Sequence, residues 1–259
     1  MKNLTEPSFA RPSSTVALVR HSSDGPEIFM VRRHETSSFG AAHAFPGGVV
    51  DAEDSEIYDF CQGLTSTEAN FRLGVESDGL RYFSSAIREL FEESGVLLAD
   101  LSMVDENLTA VRDALNDGSL SWAEWVTSSR LPLYCGQLHY FSHWVTPETQ
   151  AKRYSTRFFL AQLPDGQIAE HCGGELTASC WATANDILAA GRRGDLKLHH
   201  PTIKTLESIA RHKTMENLVD WARSCFEWGI TSMIPAVISR NGQQEIVLPG
   251  DIDYPGTRS

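Results

Sequence analysis

The chain has 259 residues, 41% of them hydrophobic, and a formal charge of −12. That is enough apolar material for one generous domain with extensions, and the acidity argues against a general nucleic-acid binder, although a cation-filled site could still hold a phosphorylated small molecule. No apolar run approaches the roughly 18 residues of a membrane span, and the polar start MKNLTEPSFARPSS lacks a signal peptide's apolar core, so a cytoplasmic protein without a membrane partner is expected.

The β-branched runs Ser14 to Arg20 and Glu27 to Arg33 flank the turn HSSDGP and predict a hairpin. FPGG follows at residues 45–48, where Pro46, Gly47 and Gly48 favour a tight turn that lets backbone approach a ligand. Between Asp54 and Arg88, Thr65 and Glu68 are spaced as a capping box and Gly74 as a stop, which predicts a short helix. Further helices are expected at Glu106 to Asn116 and Ser121 to Ser128, then strands at Gln137 to Thr146, Tyr154 to Leu163 and Leu176 to Thr183. The rest turns helical: ANDILAAGRRG ends at Gly191 or Gly194, HPTIKTLESIARHK has Pro201 in its first turn, and MENLVDWARSCF follows. A short strand PAVISR and the turn-rich LPGDIDYPG complete the chain. Strands on both sides of a mid-chain helix predict an α+β fold, layered α/β/α. Cys61, Cys135, Cys172, Cys180 and Cys225 form no C-x-x-C pair and read as free thiols, and a zinc site from His171, Cys172, His199 and His200 has no standard spacing.

The segment AIRELFEESGVLL at residues 86–98 carries the chemistry. On a wheel of about 100° per residue, Phe83, Ile87, Leu90 and Phe91 share one side, and Glu89, Glu92 and Glu93 a sector of roughly 100° on the other. The three carboxylates stand in the last helical turn, where the unpaired carbonyls already make the potential negative. Arg88 reaches Glu92 one turn away, yet one guanidinium cannot neutralise three carboxylates, and a divalent metal could. The bland alternative, a solvated acidic face, costs only tenths of a kcal/mol per like-charged pair, so energetics alone leave it open.

Taken with FPGG, this segment resembles the box of the Nudix hydrolases, G-x5-E-x7-R-E-U-x-E-E-x-G-U. Gly48 matches the first glycine, Asp54 stands where the first glutamate belongs, and Arg88, Glu89, Leu90, Glu92, Glu93, Gly95 and Val96 follow in register. The departure is length: 33 residues separate Asp54 from Arg88. A branch that includes the coenzyme A diphosphatases is similar in carrying a long insert here. It also resembles this chain in FPGG, in Trp144 followed by Thr146 and Pro147, in TRFF at 156–159 and in Pro201–Thr202.

The resemblance implies a Nudix-like α/β/α sandwich with a mixed sheet over 10–213, a helical insert at about 55–85 and a further helical segment at about 105–130. It also implies a C-terminal helix and tail, 214–259, packed on the same domain. It implies Mg2+ or Mn2+ held by Glu89, Glu92, Glu93 and the Gly47 carbonyl, with Arg88 orienting the glutamates and Glu175 a candidate base. The expected partner is a small-molecule nucleoside diphosphate derivative, cleaved at its diphosphate. Coenzyme A or an acyl-coenzyme A leads, with ADP-ribose, a dinucleotide or a non-catalytic sensor as alternatives, and a homodimer stays open. Arg32, Arg33, Arg153 and Arg157 are the candidate phosphate contacts. In a related branch's coenzyme A signature Arg32 is in place, while Ser37 and Ala41 stand where Arg and Gly are expected. Trp144, Phe158 and Phe159 could stack on adenine but read first as core, and His199 and His200 as capping or packing residues.

Overall fold

The computed structural model describes residues 9–33, 41–173, 176–240 and 243–255. The predicted hairpin is β1 (Arg11–Arg20) and β2 (Glu27–Arg33), followed by β3 (His43–Ala44) and β4 (Gly47–Val49). The insert holds 3-10 turns at Glu53–Ser55 and Tyr58–Phe60 and then α1 (Ser66–Leu73), before the box helix α2 (Leu80–Ser94). Next come α3 (Leu108–Asn116), α4 (Trp122–Ser128), β5 (His139–Val145), β6 (Tyr154–Gln162) and β7 (Leu176–Thr183). The C-terminal third supplies α5 (Ala184–Arg193), α6 (His200–Ile209), α7 (Met215–Ser224), β8 (Ser232–Met233), β9 (Ala236–Arg240) and β10 (Gln243–Val247).

The sheet runs β3-β2-β1-β6-β5-β8, with β4 added to β1 and β7 to β2. It is mixed: β1 and β6 are parallel, as are β5 and β8, and the other pairs are antiparallel. Period-2 alternation along β1 sends Val16 and Leu18 into one core, with α1 to α4, and Ala17 and Val19 into another, with α5 to α7. The layering is therefore α/β/α, as expected. On α2, Phe83, Ile87, Leu90 and Phe91 are all essentially inaccessible, each burial contributing about 1.5–3 kcal/mol. On α7, Leu218, Val219 and Ala222 are buried against the second face, so this late helix is part of the core.

Local sequence signals locate several ends to the residue. Thr65 and Glu68 form both bonds of the capping box, and Gly74 is left-handed at the end of α1. Thr183 caps α5, which ends at Gly194 rather than Gly191, and Pro201 sits in the first turn of α6. Two expectations need correction. FPGG is not a free tight turn: Gly47–Val49 pairs with β1, with Gly47 opposite Thr15. Helix α3 begins at Leu108, because Asn107 accepts from the Thr109 and Ala110 amides and caps it there. PAVISR forms a strand as expected, and it is one arm of a hairpin with β10, whose few apolar residues did not read as a strand.

Candidate active site

The long insert divides the box in sequence, and in the structure the two halves meet. Arg88 Nε donates to Oδ1 of Asp54 and Nη2 to Oδ2, both at 3.0 Å. Asp54 is wholly buried, and this two-pronged pairing closes the gap of 33 residues in sequence. The same guanidinium reaches onward: Nη2 donates to the Val49 carbonyl at 2.9 Å, and Nη1 to Oε1 of Glu89 at 2.9 Å and Oε2 of Glu92 at 3.1 Å. Arg88 thus ties the insert's first turn and β4 to two box carboxylates. The sequence placed Asp54 in the motif without assigning it this role.

Glu93 differs from its neighbours. It is buried, at 5% exposure, although the wheel placed it away from the apolar stripe, and its Oε2 accepts the Gly47 amide at 2.9 Å. Gly47 has φ +154°, and a Cβ there would stand 2.4 Å from the Ser14 carbonyl oxygen. Only glycine allows β4 this close to β1 while its amide faces the helix. Thr15 Oγ1 donates to the Pro46 carbonyl at 2.7 Å and steadies the same loop. At Gly48 a Cβ would meet the Glu89 carboxylate at 2.4 Å.

The end of α2 is held from outside. Gly95 is left-handed with its amide on the Phe91 carbonyl, and Arg112 Nε and Asn116 Nδ2, from α3, donate to the Glu92 carbonyl at 2.9 and 3.2 Å. They satisfy a terminal carbonyl next to the acidic cluster. No local pattern marks those two residues, since the contact depends on how α3 packs.

Burial, with the neighbouring acids Glu93 and Glu92, pushes the Glu89 carboxyl up to about 8 against the opposing pull of Arg88, and burial pushes Glu92 up to about 7. Asp54 is raised by burial too, with Arg88 opposing. Burial works against the Arg88 charge, and Glu89, Asp54 and Glu92 more than reverse it, so its proton is held more tightly than usual. The cluster has more negative charge than its one guanidinium can balance.

Among the described residues, no three His, Cys, Asp or Glu side chains already converge as a ligand cage. The donor chemistry nevertheless suits a hard dication: carboxylate oxygens, an excess of negative charge, and backbone brought close by two glycines. Arg88 occupies one oxygen of Glu89 and one of Glu92, and the second oxygen of each remains for a cation.

Two expected outcomes follow from these contacts. Gly48→Ala should displace the Glu89 carboxylate and weaken Mg2+ or Mn2+ binding by about 10–100-fold, with Tm within a few degrees of the parent; an unchanged metal titration would contradict the placement. The folded Glu89 and Glu92 values, about 8 and about 7, lie above the ordinary 4.5. Their stabilising contribution is therefore complete below about pH 4.5 and is lost as pH rises through 7 and 8. The metal-free protein should lose Tm from about pH 5.5 to about 8.5, and millimolar Mg2+ should flatten that loss. Parallel Tm–pH curves with and without the ion would refute it.

The other expected site residues are dispersed. Arg32 lies on β2 beside His43, whose pKa falls through burial and then through the Arg32 charge. Arg33 is the last residue of β2, and its side chain lies outside the described residues, as does Glu175. Arg153 Nε donates to the Thr146 carbonyl at 3.1 Å. Arg157 is buried, with its guanidinium 4.0 Å over the ring of Tyr82, which stands seven residues before Glu89 on α2. Trp144, Phe158 and Phe159 are buried core residues, and His200 packs edge-on against Trp144 at 6.0 Å. The imagined zinc set does not assemble among the described residues; His171 bonds the Ser179 hydroxyl at 3.0 Å. A cleft of about 450 Å³ between α6, α7 and β5 includes Trp144, Lys204 and Trp221 but none of the box carboxylates, so the site is assigned by its donors rather than by the cavity.

A mixed sheet between two helical layers, with a reunited acidic box at the end of one helix, defines the Nudix class. The sequence profile of the NUDT19 Nudix domain matches residues 77–209, and the chain belongs to this family of Nudix hydrolases. It is accordingly a pyrophosphohydrolase, and enzymes of the family use divalent metal ions. The chain is similar to nudix hydrolase 7 of Caenorhabditis elegans, at 26% identity over 88% of this chain and 69% of that one. It is similar also to the acyl-coenzyme A diphosphatase NUDT19 of Xenopus laevis, at 24% identity over 88% of this chain and 71% of that one. Among solved structures, a Nudix hydrolase from Alicyclobacillus acidocaldarius matches with a TM-score of 0.68 and 29% identity, covering 81% of this chain and 95% of that one. No helix among the described residues is long and apolar enough to cross a membrane.

Proposed function

We propose that the chain is a Mg2+- or Mn2+-dependent diphosphatase acting on coenzyme A or an acyl-coenzyme A, cleaving it to an adenosine bisphosphate and a phosphopantetheine product. The observation that carries the reading is the cluster of Glu89, Glu92 and Glu93 at the end of α2, beside Gly47 and Gly48. The substrate choice is supported by the similarity to the Xenopus laevis enzyme and by the long insert within the box.

In this reading Glu89, Glu92 and Glu93 hold the metal, with the Gly47 carbonyl as a further oxygen. The bound ion supplies charge neutralisation of the diphosphate and activation of a water for in-line attack on phosphorus. Arg88, held by Asp54, fixes the Glu89 and Glu92 carboxylates in place, and the Gly47 amide fixes Glu93. The attacking water loses its proton to a carboxylate, for which Glu175, directly before Leu176 in the sequence, is the candidate. Of the strand arginines, Arg157 is covered by Tyr82 and Arg153 is engaged with Thr146, which leaves Arg32 and Arg33, and Arg32, in place in the related branch's signature, is the leading contact for the substrate's 3′-phosphate.

The test is a panel of nucleotide diphosphate derivatives analysed by product mass. Coenzyme A or a short acyl-coenzyme A should be the preferred substrate, and Arg32→Ala should raise KM for it far more than for a substrate lacking the 3′-phosphate. Turnover of ADP-ribose or a dinucleotide with kcat/KM about tenfold above coenzyme A would remove the coenzyme A assignment and leave the diphosphatase.

A further inference from the structure

Cys61 follows the turn Tyr58–Phe60 in the insert, and Cys135 opens the turn Cys135–Gln137 ahead of β5. Backbone bonds lace these two stretches together: the Leu133 amide donates to the Phe60 carbonyl at 2.8 Å, Gln62 to Leu133 at 2.7 Å, and Gly136 to Gln62 at 3.0 Å. The approach is close enough that a Cβ on Gly136 would lie 2.7 Å from the Gly63 carbonyl oxygen. The ladder brings the two cysteines together across 73 intervening residues. Cys61 is bridged to Leu133, two residues before Cys135, and its thiol donates to the Ile57 carbonyl at 3.9 Å. Cys61 beside it and then burial raise the Cys135 thiol well above its usual value, and neither cysteine is in a disulfide. Cys61 is partly exposed and Cys135 is buried, so an oxidant from solvent meets Cys61 first and Cys135 stands behind it.

We propose that Cys61 and Cys135 are a peroxide-responsive dithiol, and that its disulfide clamps the insert to the loop ahead of β5. The Cys61 thiolate attacks one peroxide oxygen and the O–O bond breaks, leaving a sulfenic acid on Cys61 and releasing water or an alcohol. Cys135 then attacks the Cys61 sulfur; the S–S bond forms, the S–O bond breaks, and hydroxide leaves with the thiol proton as water. The two thiols give up two electrons and two protons to the peroxide. The backbone ladder holds the two residues side by side, which makes this second step intramolecular, so it outruns capture by a free thiol. In a reducing compartment the pair rests as dithiol, the form in this structure. Cys61 follows Asp54 by seven residues, which places the clamp on the segment whose first turn holds Arg88. The proposal does not depend on the substrate.

The experiment treats the full chain with a small excess of hydrogen peroxide, alkylates the remaining thiols under denaturing conditions, and maps peptides without reductant. The expected results are a thiol count falling from five to three and a single linked peptide pair carrying Cys61 and Cys135. The linkage should be lost on adding reductant, and the oxidised protein should melt about 5 °C or more higher. Cys61→Ser and Cys135→Ser should form no internal link under the same treatment. A count that stays at five, a link between other cysteines, Cys61 carried on to sulfinic acid with Cys135 untouched, or a linked pair with unchanged Tm would each overturn the proposal. Should either serine variant fail to fold, the map of the parent protein decides alone.

Discussion

Glu93→Gln should lower kcat by about 100-fold or more while the protein folds as before, and Glu92→Gln should act in the same direction. The Glu93 side chain is buried and accepts the Gly47 amide at 2.9 Å. Glutamine keeps an acceptor oxygen for that bond and the same volume, and removes only the charge. A loss of charge alone should therefore appear in metal binding and turnover, with Tm near that of the parent. Glu92 is more accessible and shares Arg88 with Glu89, so its glutamine should be tolerated at least as well. The measurement is turnover at saturating substrate across a Mg2+ titration, with Tm taken on the same samples. Turnover within about twofold of the parent in both variants would sink the assignment of metal to this helix.

The acidic helix was legible because its information is local. Phe83, Ile87, Leu90 and Phe91 recur at helical spacing, and the carboxylates take the remaining sector. The ends of α1 at Thr65 and Gly74 were legible for the same reason, each depending on residues within one turn, while the stop of α5 was narrowed to Gly191 or Gly194 and its cap at Thr183 was not read. Contacts across long sequence separation were not derivable from pattern. The resemblance put Asp54 and Arg88 in one motif but did not assign their pairing, since nothing in 33 intervening residues announces their return. The pinning of the Glu92 carbonyl by Arg112 and Asn116 depends on helix packing. The wheel also misjudged Glu93, because a wheel sees only the helix, and β4 comes over its polar side with the Gly47 amide. Arg157 is likewise buried, on a strand whose two faces are both covered by helices, and no local pattern marks that cover.

Arg88→Ala should be the most damaging single change to stability, costing about 3–5 kcal/mol and lowering Tm on the order of 10 °C. Arg88 is 4% exposed and gives Asp54, which is wholly buried, its only ion-pair partner among the described residues, at 3.0 Å. Without the guanidinium, Asp54 must either remain charged in a dry site or take up a proton, and Glu89 and Glu92 lose the cation that opposes their own burial. The sign of the pH dependence follows. The Asp54 pKa is already raised by burial against the pull of Arg88, and removing that pull raises it further. A raised carboxyl pKa means stability that is present at low pH and lost as pH rises through the folded value, so the defect should be larger at about pH 8 than at about pH 5. Arg88→Ala combined with Asp54→Asn should recover part of the loss, because the amide has no charge to bury. Arg88→Lys should fall between, keeping a cation but losing the two-pronged contact. A Tm for Arg88→Ala within about 2 °C of the parent, or a double variant no better than the single one, would show that this ion pair does not hold the two halves of the box together.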